Sequence, residues 1–145
     1  GASYNGHITE HRIITYFAAA DGSLTDWTAS AGNRYACVDE NTPNDDTDYI
    51  SSSTPGQYYT GAAPSISAPT VSHVKVSAWA RKDDVGTRQI ALMNRQSTTN
   101  YDGTTQDLAS NYAYLSQHYN VNPATSAAWT GSEVSATQFG VKLVS

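Results

Sequence analysis

Three properties of this chain point to an all-β architecture. Its apolar residues are mainly Ala, Val and Tyr, with ten tyrosines and a single methionine, a mix that suits pleated, half-buried surfaces better than helical Leu and Met stripes. Several short segments alternate apolar and polar residues with period two. Gly, Pro, Asn and Asp punctuate those segments at short intervals. The expected fold is an antiparallel two-sheet β-sandwich, jelly-roll or immunoglobulin-like, with at most one short helical turn near residues 130–138. A chain of 145 residues is long enough to bury one core without disulfide or metal support. Residues 1–20 are read as an N-terminal arm and first strand, and 21–145 as a single sandwich domain.

The elements follow in order. Residues 12–17 set Ile13, Thr15 and Phe17 against Ile14 and Tyr16, a short strand that Ala18 to Gly22 breaks. Residues 34–38 read as a second strand, and between the two Trp27 sits in an ordered loop whose indole plugs one end of a core. Tyr58 and Tyr59 lie in a brief extended piece, and the prolines at 64 and 69 make a non-helical connector. The plainest period-two segment is 71–82, with Val74, Val76, Ala78 and Ala80 on one face and His73, Lys75, Ser77 and Trp79 on the other. Asp83, Asp84 and Gly86 then form a turn into 87–95, giving a hairpin. Residues 94–107 are a polar excursion with a turn at Tyr101, Asp102 and Gly103 and a short strand on one side of it. Residues 112–119 alternate again, Asn122 and Pro123 break the pattern, and Phe139, Val141 and Leu143 mark a closing strand. Glu133 follows Thr130 at the spacing of a helix capping box.

Charge and composition exclude several roles. A formal net charge of −5 argues against binding nucleic acid through phosphates. Four of the eight Lys and Arg residues do cluster between Arg81 and Arg95, but Asp83 and Asp84 neutralise that surface. No apolar run approaches the ~20 residues that span a bilayer, and the first residues lack the pattern of a signal peptide. The chain does not begin with Met, as expected of a processed or truncated part of a longer product. Cys37 is the single cysteine, so no internal disulfide forms, and its apolar neighbours make it a small core residue.

The search for chemistry starts at residues 38–53, which hold five of the thirteen acidic side chains. Asp39, Glu40, Asn44, Asp45, Asp46 and Asp48 supply oxygens of the kind calcium binds, without the spacing of a helical calcium loop. The same residue types build turns by bonding their own backbone, so a structural corner is the reading preferred over a cation site. As a corner, it would be clamped by Asp45, Asp46 or Asp48 accepting hydrogen bonds from Arg81 or Arg88. His7 and His11 are near in sequence but lead into a strand, and His73 and His118 read as strand-surface residues. No nucleophile elbow or Ser-x-x-Lys motif is present, and Glu10, Glu40 and Glu133 form no recognisable acid/base pair with any Asp. No catalytic residue, metal ligand or cofactor is assigned, and the chain is read as non-enzymatic. Tyr58, Tyr59, Tyr101, Tyr112, Tyr114, Trp79 and Trp129 are candidates for stacking on sugar rings, with Tyr112 and Tyr114 sharing a strand face.

Three blocks then carry a resemblance: residues 38–53, the segment Ala80-Arg81-Lys82-Asp83-Asp84-Val85-Gly86-Thr87-Arg88-Gln89-Ile90, and the end from Asn122 through Trp129-Thr130 and Glu133-Val134 to Lys142. In combination and order they resemble small accessory structural proteins of tailed bacteriophages and prophages. The resemblance runs from about Trp27 to Val144, and residues 1–20 depart from it. It implies a β-sandwich module of the virion, a capsid decoration, tail or fibre component, assembled in the bacterial cytoplasm. Its implied partners are other virion proteins and copies of itself, with no nucleic acid and no membrane. The alternative is a carbohydrate-binding module that recognises a host surface glycan, displayed on the same particle. The N-terminal arm, residues 1–17, is expected to join neighbouring subunits by strand addition.

Overall fold

Five consecutive residues, Ile90 to Asn94, are buried, which places their strand at the centre of a sheet with both faces covered. The computed structural model that shows this describes residues 12–68 and 70–145. It is mostly β with one short helix: β1 (Ala20–Thr25), β2 (Thr28–Ala29), β3 (Ile50–Ser51), β4 (Tyr58–Ala62), β5 (Val74–Ala80), β6 (Gln89–Gln96), β7 (Thr99–Asp107), β8 (Ala113–Tyr119), α1 (Gly131–Ala136) and β9 (Gln138–Leu143). The main sheet is antiparallel, in the order β1-β4-β9-β6-β7, and the pairs β2-β3 and β5-β8 stand apart from it. The assembly is open, with a two-stranded ribbon where a sandwich has a complete second sheet.

Register explains the core. Val141 of β9 lies opposite Tyr59 of β4 and Leu92 of β6, and Leu143 lies opposite Ile90, so these five side chains share one sheet face and form the buried cluster. The β5-β8 ribbon folds over that face. It is paired without slippage from Val74↔Tyr119 to Ala80↔Ala113. Its inward residues Val76, Ala78, Ala80 and Leu115 pack on the cluster, as the period-two pattern requires. Trp27 packs there as well, its indole N–H donating to the Gln57 carbonyl at 3.2 Å.

The ribbon meets the sheet through side chains. Gln117 of β8 accepts from the Thr104 amide of β7 at 2.8 Å, and Gln106 of β7 donates to the Ser116 carbonyl at 3.2 Å. The acceptor site exists because β7 bulges: its register against β6 slips by one residue between Ala91 and Met93. Gly103 sits in the bulge, where a Cβ would fall 2.5 Å from the Gln117 side-chain oxygen.

Several expectations are corrected. Residues 12–17 form no strand; they alternate correctly but meet no partner strand among the described residues, and the first strand is Ala20–Thr25. Residues 35–37 form a 3-10 turn where a strand is expected, with the Cys37 amide bonded to the Arg34 carbonyl. The segments 71–82 and 87–95 are both strands but do not make a hairpin. β6 is claimed on its edges by β7 and β9, while the half-apolar β5 needs a sheet face to cover its Val and Ala side chains. The true hairpin joins β6 to β7 through Ser97 and Thr98, with Ser97 at φ 54°. Tyr101, Asp102 and Gly103, expected as a turn, are mid-strand.

Other expectations hold. The β5, β8 and β9 strands lie where the apolar pattern places them, the extended piece at Tyr58 and Tyr59 is β4, and Cys37 is buried. The helical turn at 130–138 is α1, closed by the capping box: Thr130 Oγ1 accepts from the Glu133 amide at 3.1 Å, and Glu133 Oε2 accepts from the Thr130 amide at 2.8 Å. No helix among the described residues is long and apolar enough to cross a membrane.

Candidate functional site

Cross-strand register decides which surface side chains meet. On the outward face of the ribbon Trp79 lies directly opposite Tyr114, and their rings approach to 4.6 Å between centroids at 57°. Tyr112, just before β8, lies parallel to the Trp79 indole, at 5.9 Å and 5°. The Arg81 guanidinium lies over the Tyr112 ring, 5.2 Å from its centre. Trp79 is 37% exposed and Tyr114 63% exposed, so the cluster presents aromatic surface to solvent.

The acidic loop closes over one end of this cluster. Asn44 accepts from the Thr47 amide at 3.1 Å, forming a turn in which Asp45 takes φ 55°, a conformation Asp tolerates. That turn aims two carboxylates at the ribbon. Asp45 accepts from the Trp79 indole N–H at 2.7 Å, and Asp46 accepts from the Tyr112 hydroxyl at 2.8 Å and from Arg81 at 3.0 Å. The expected clamp between acidic loop and basic segment is therefore made by Arg81 and Asp46, while Arg88 pairs at 2.6 Å with Asp84 in its own loop. Asp48 is held within the loop by the Asn44 amide.

The electrostatics follow from these contacts. Hydrogen bonds from Tyr112 and Arg81 hold the Asp46 carboxyl below its ordinary value of 3.8. Burial, and then the bond to Asp46, push the Tyr112 hydroxyl up. Partial burial raises the Glu40 carboxyl, and the neighbouring Asp48 and Asp39 charges raise it further. Because the Asp46 value is depressed in the folded state, its contribution is present above pH 3.8 and is lost as pH falls through the lower folded value. The loop is thus expected to stay docked through the normal aspartate range and to release only below it, read as a change in Trp79 fluorescence on acid titration. Arg81→Glu should release the loop at neutral pH, with faster proteolytic nicking between residues 38 and 53, whereas Arg88→Glu should leave nicking unchanged. Equal nicking in both variants would count against the clamp.

The other sequence candidates are dispersed. Trp129 and Tyr59 are core residues, 1% and 4% exposed. Tyr58 belongs to a separate surface group, donating to Asp102 at 3.1 Å beside the Lys142–Asp102 ion pair at 2.7 Å. Glu133 serves the helix cap, and Glu40 lies in the acidic loop. His7, His11 and Glu10 lie outside the described residues. Among the described residues no three His, Cys, Asp or Glu side chains converge as a metal-binding group. His73 and His118, read separately in sequence, are brought into contact by the ribbon. The histidine contact is legible only once β5 and β8 are aligned, and the Asp45–Trp79 bond only once the acidic loop is docked on β5, because the partners lie 45 and 34 residues apart. Comparison of this chain with protein-family models, curated proteins and solved structures yields no match.

Proposed function

We propose that this chain is a non-enzymatic structural module of a phage particle, assembling through its N-terminal arm. The observation that carries the assembly reading is the arm itself. Ile13 is 96% exposed, Ile14 45%, Tyr16 44% and Phe17 37%, shortly before β1, and these residues line an open cleft together with Val38, Ile50, Val74 and Val76. A run of apolar side chains on a segment that joins no strand among the described residues is an anchor for another surface. The phage assignment itself rests on the resemblance of the three sequence blocks.

The best receiving edge is on β5. Both edges of the main sheet, β1 and β7, carry register slips that discourage edge pairing. β8 is turned to β7 by its glutamine contacts, which leaves the outer side of β5 without a ladder among the described residues. An arm from a neighbouring copy would make the ribbon three-stranded there, and the finer reading of a two-sheet sandwich applies to that assembled form. Full burial of each arm residue is worth roughly 1.5 to 3 kcal/mol, against roughly 1 to 2 kcal/mol for ordering each backbone unit. Each contact is therefore weak, and a particle that repeats it many times gains stability through multiplicity.

Light scattering on the full chain and on residues 18–145 tests this. The full chain should form oligomers, and the truncated chain and the Ile13→Asp, Phe17→Asp double variant should be monomeric. A monomeric full chain, or oligomers indifferent to both changes, would sink the assembly reading. Absence of the protein from purified particles by mass spectrometry would sink the phage reading alone.

The Trp79, Tyr112 and Tyr114 cluster favours a second reading, glycan binding on the same particle. A pyranose ring takes an aromatic face together with nearby hydrogen-bonding groups, and Asp45, Asp46 and Arg81 border these rings. Glycan-array binding lost on Tyr114→Ala, with the fold retained, is the expected result. An array silent for the wild-type chain removes this reading.

A further inference from the structure

At the end of the ribbon away from the aromatic cluster, His73 Nε2 lies 2.7 Å from His118 Nδ1, and His73 Nδ1 lies 2.8 Å from Asn120 Oδ1. Both histidines and Asn120 are exposed. The rings are 4.9 Å apart and tilted by 48°. The Asn120 oxygen only accepts, so His73 carries its proton on Nδ1 when neutral. His73 Nε2 then presents a lone pair, and His118 Nδ1–H donates to it. Two imidazole nitrogens thus converge on one hydrogen, and the first ring is oriented from behind by a carbonyl oxygen. That is the arrangement of a metal-ligating histidine with its supporting hydrogen bond.

We infer that His73 Nε2 and His118 Nδ1 form a surface site for a late first-row divalent ion of the zinc or copper class, with Asn120 positioning His73. The ion takes the place of the shared hydrogen. His118 gives up its Nδ1 proton and gains one on Nε2, so the neutral pair binds with no net proton release. Ligand bonds of about 2.0 to 2.1 Å in a tetrahedral site put the two nitrogens about 3.4 Å apart. The pair must open by about 0.7 Å from its present separation, a small rotation for exposed rings. Lys75, the register partner of His118, lies on the same outward face. Its charge disfavours hard dications such as Ca²⁺ and Mg²⁺, so selectivity falls to ions that bond strongly to imidazole. Two positions or more remain open on the ion, for water or for donors of another molecule.

The test is calorimetric titration of the metal-free full chain with Zn²⁺, with the Cu²⁺ absorption spectrum as a second readout. One ion should bind per chain, with Mg²⁺ and Ca²⁺ inert. His7→Ala combined with His11→Ala should leave binding unchanged. His73→Ala, His118→Ala and His118→Gln should each abolish it with the far-ultraviolet circular dichroism unaltered. Asn120→Ala should weaken it by about tenfold, as loss of a supporting hydrogen bond does. No heat and no Cu²⁺ band in the wild-type chain overturns the inference. So does binding that survives His118→Ala or disappears with the His7 and His11 changes.

Discussion

Replacing Trp129 by alanine should lower stability by about 3 to 5 kcal/mol, the usual cost of emptying a buried aromatic site. Trp129 is 1% exposed, its ring packs 6.5 Å from Phe139, and its carbonyl accepts from the Val71 amide at 3.1 Å. It therefore ties the connector before β5 to the capped helix and to β9. In a chain of this length the loss corresponds to a fall in melting temperature of about 10 to 20 °C. The indole N–H is buried without an acceptor among the described residues. Trp129→Phe removes that unpaired donor while keeping most of the ring, so its cost should be clearly smaller. Thermal melts of the two variants check the order; a Trp129→Ala midpoint within about 2 °C of wild type would show that the site collapses without penalty.

Gly140→Ala should be comparably damaging for a different reason. Gly140 lies mid-strand in β9, opposite Thr60 of β4 and Met93 of β6. A Cβ there would lie 2.8 Å from Thr60 Cα and inside contact distance of the Tyr59 carbonyl oxygen. These are main-chain atoms of a paired strand, so no side chain can rotate away. Relief requires β4 to shift from β9, which disturbs the Tyr59–Val141 row of the core. The expected loss is about 3 kcal/mol, the upper part of the range for overpacked cores. A urea midpoint equal to that of the wild type would contradict the close approach of the two strands.

What the residues disclosed beforehand has a physical pattern. β5 and β9 were legible because one face of each is apolar, and burial then imposes a visible period of two. The full length of β7 was hidden, only a short strand beside a turn being visible, because it is an edge strand with Thr, Asn, Asp and Gln on both faces, and its Asp102 and Gly103 mimic a turn while forming a bulge. The strand pairing of β5 failed locally: Asp83, Asp84 and Gly86 do turn the chain, but they deliver it to another layer. Residues 12–17 alternate well and still form no strand, because alternation specifies a surface and not a partner. At the candidate site the charge complementarity between 38–53 and the basic segment was visible in composition. Choosing Arg81 over Arg88 was not, since that depends on Tyr112 standing beside Asp46.

The seam between β7 and β8 also divides the molecule by cooperativity. Within the main sheet every strand is held to its neighbour by a ladder, so opening one central strand breaks many backbone hydrogen bonds at once. The ribbon is held to that sheet by two glutamine side chains, the Tyr119 hydroxyl on the Leu92 and Tyr101 carbonyls, and apolar contact. It can lift as a paired leaf with its own ladder intact, exposing the Leu92 and Val141 row without unfolding the sheet beneath. Amides of β5 and β8 then report a shared opening energy below that of β6 and β9, which makes the ribbon a separate unit of unfolding.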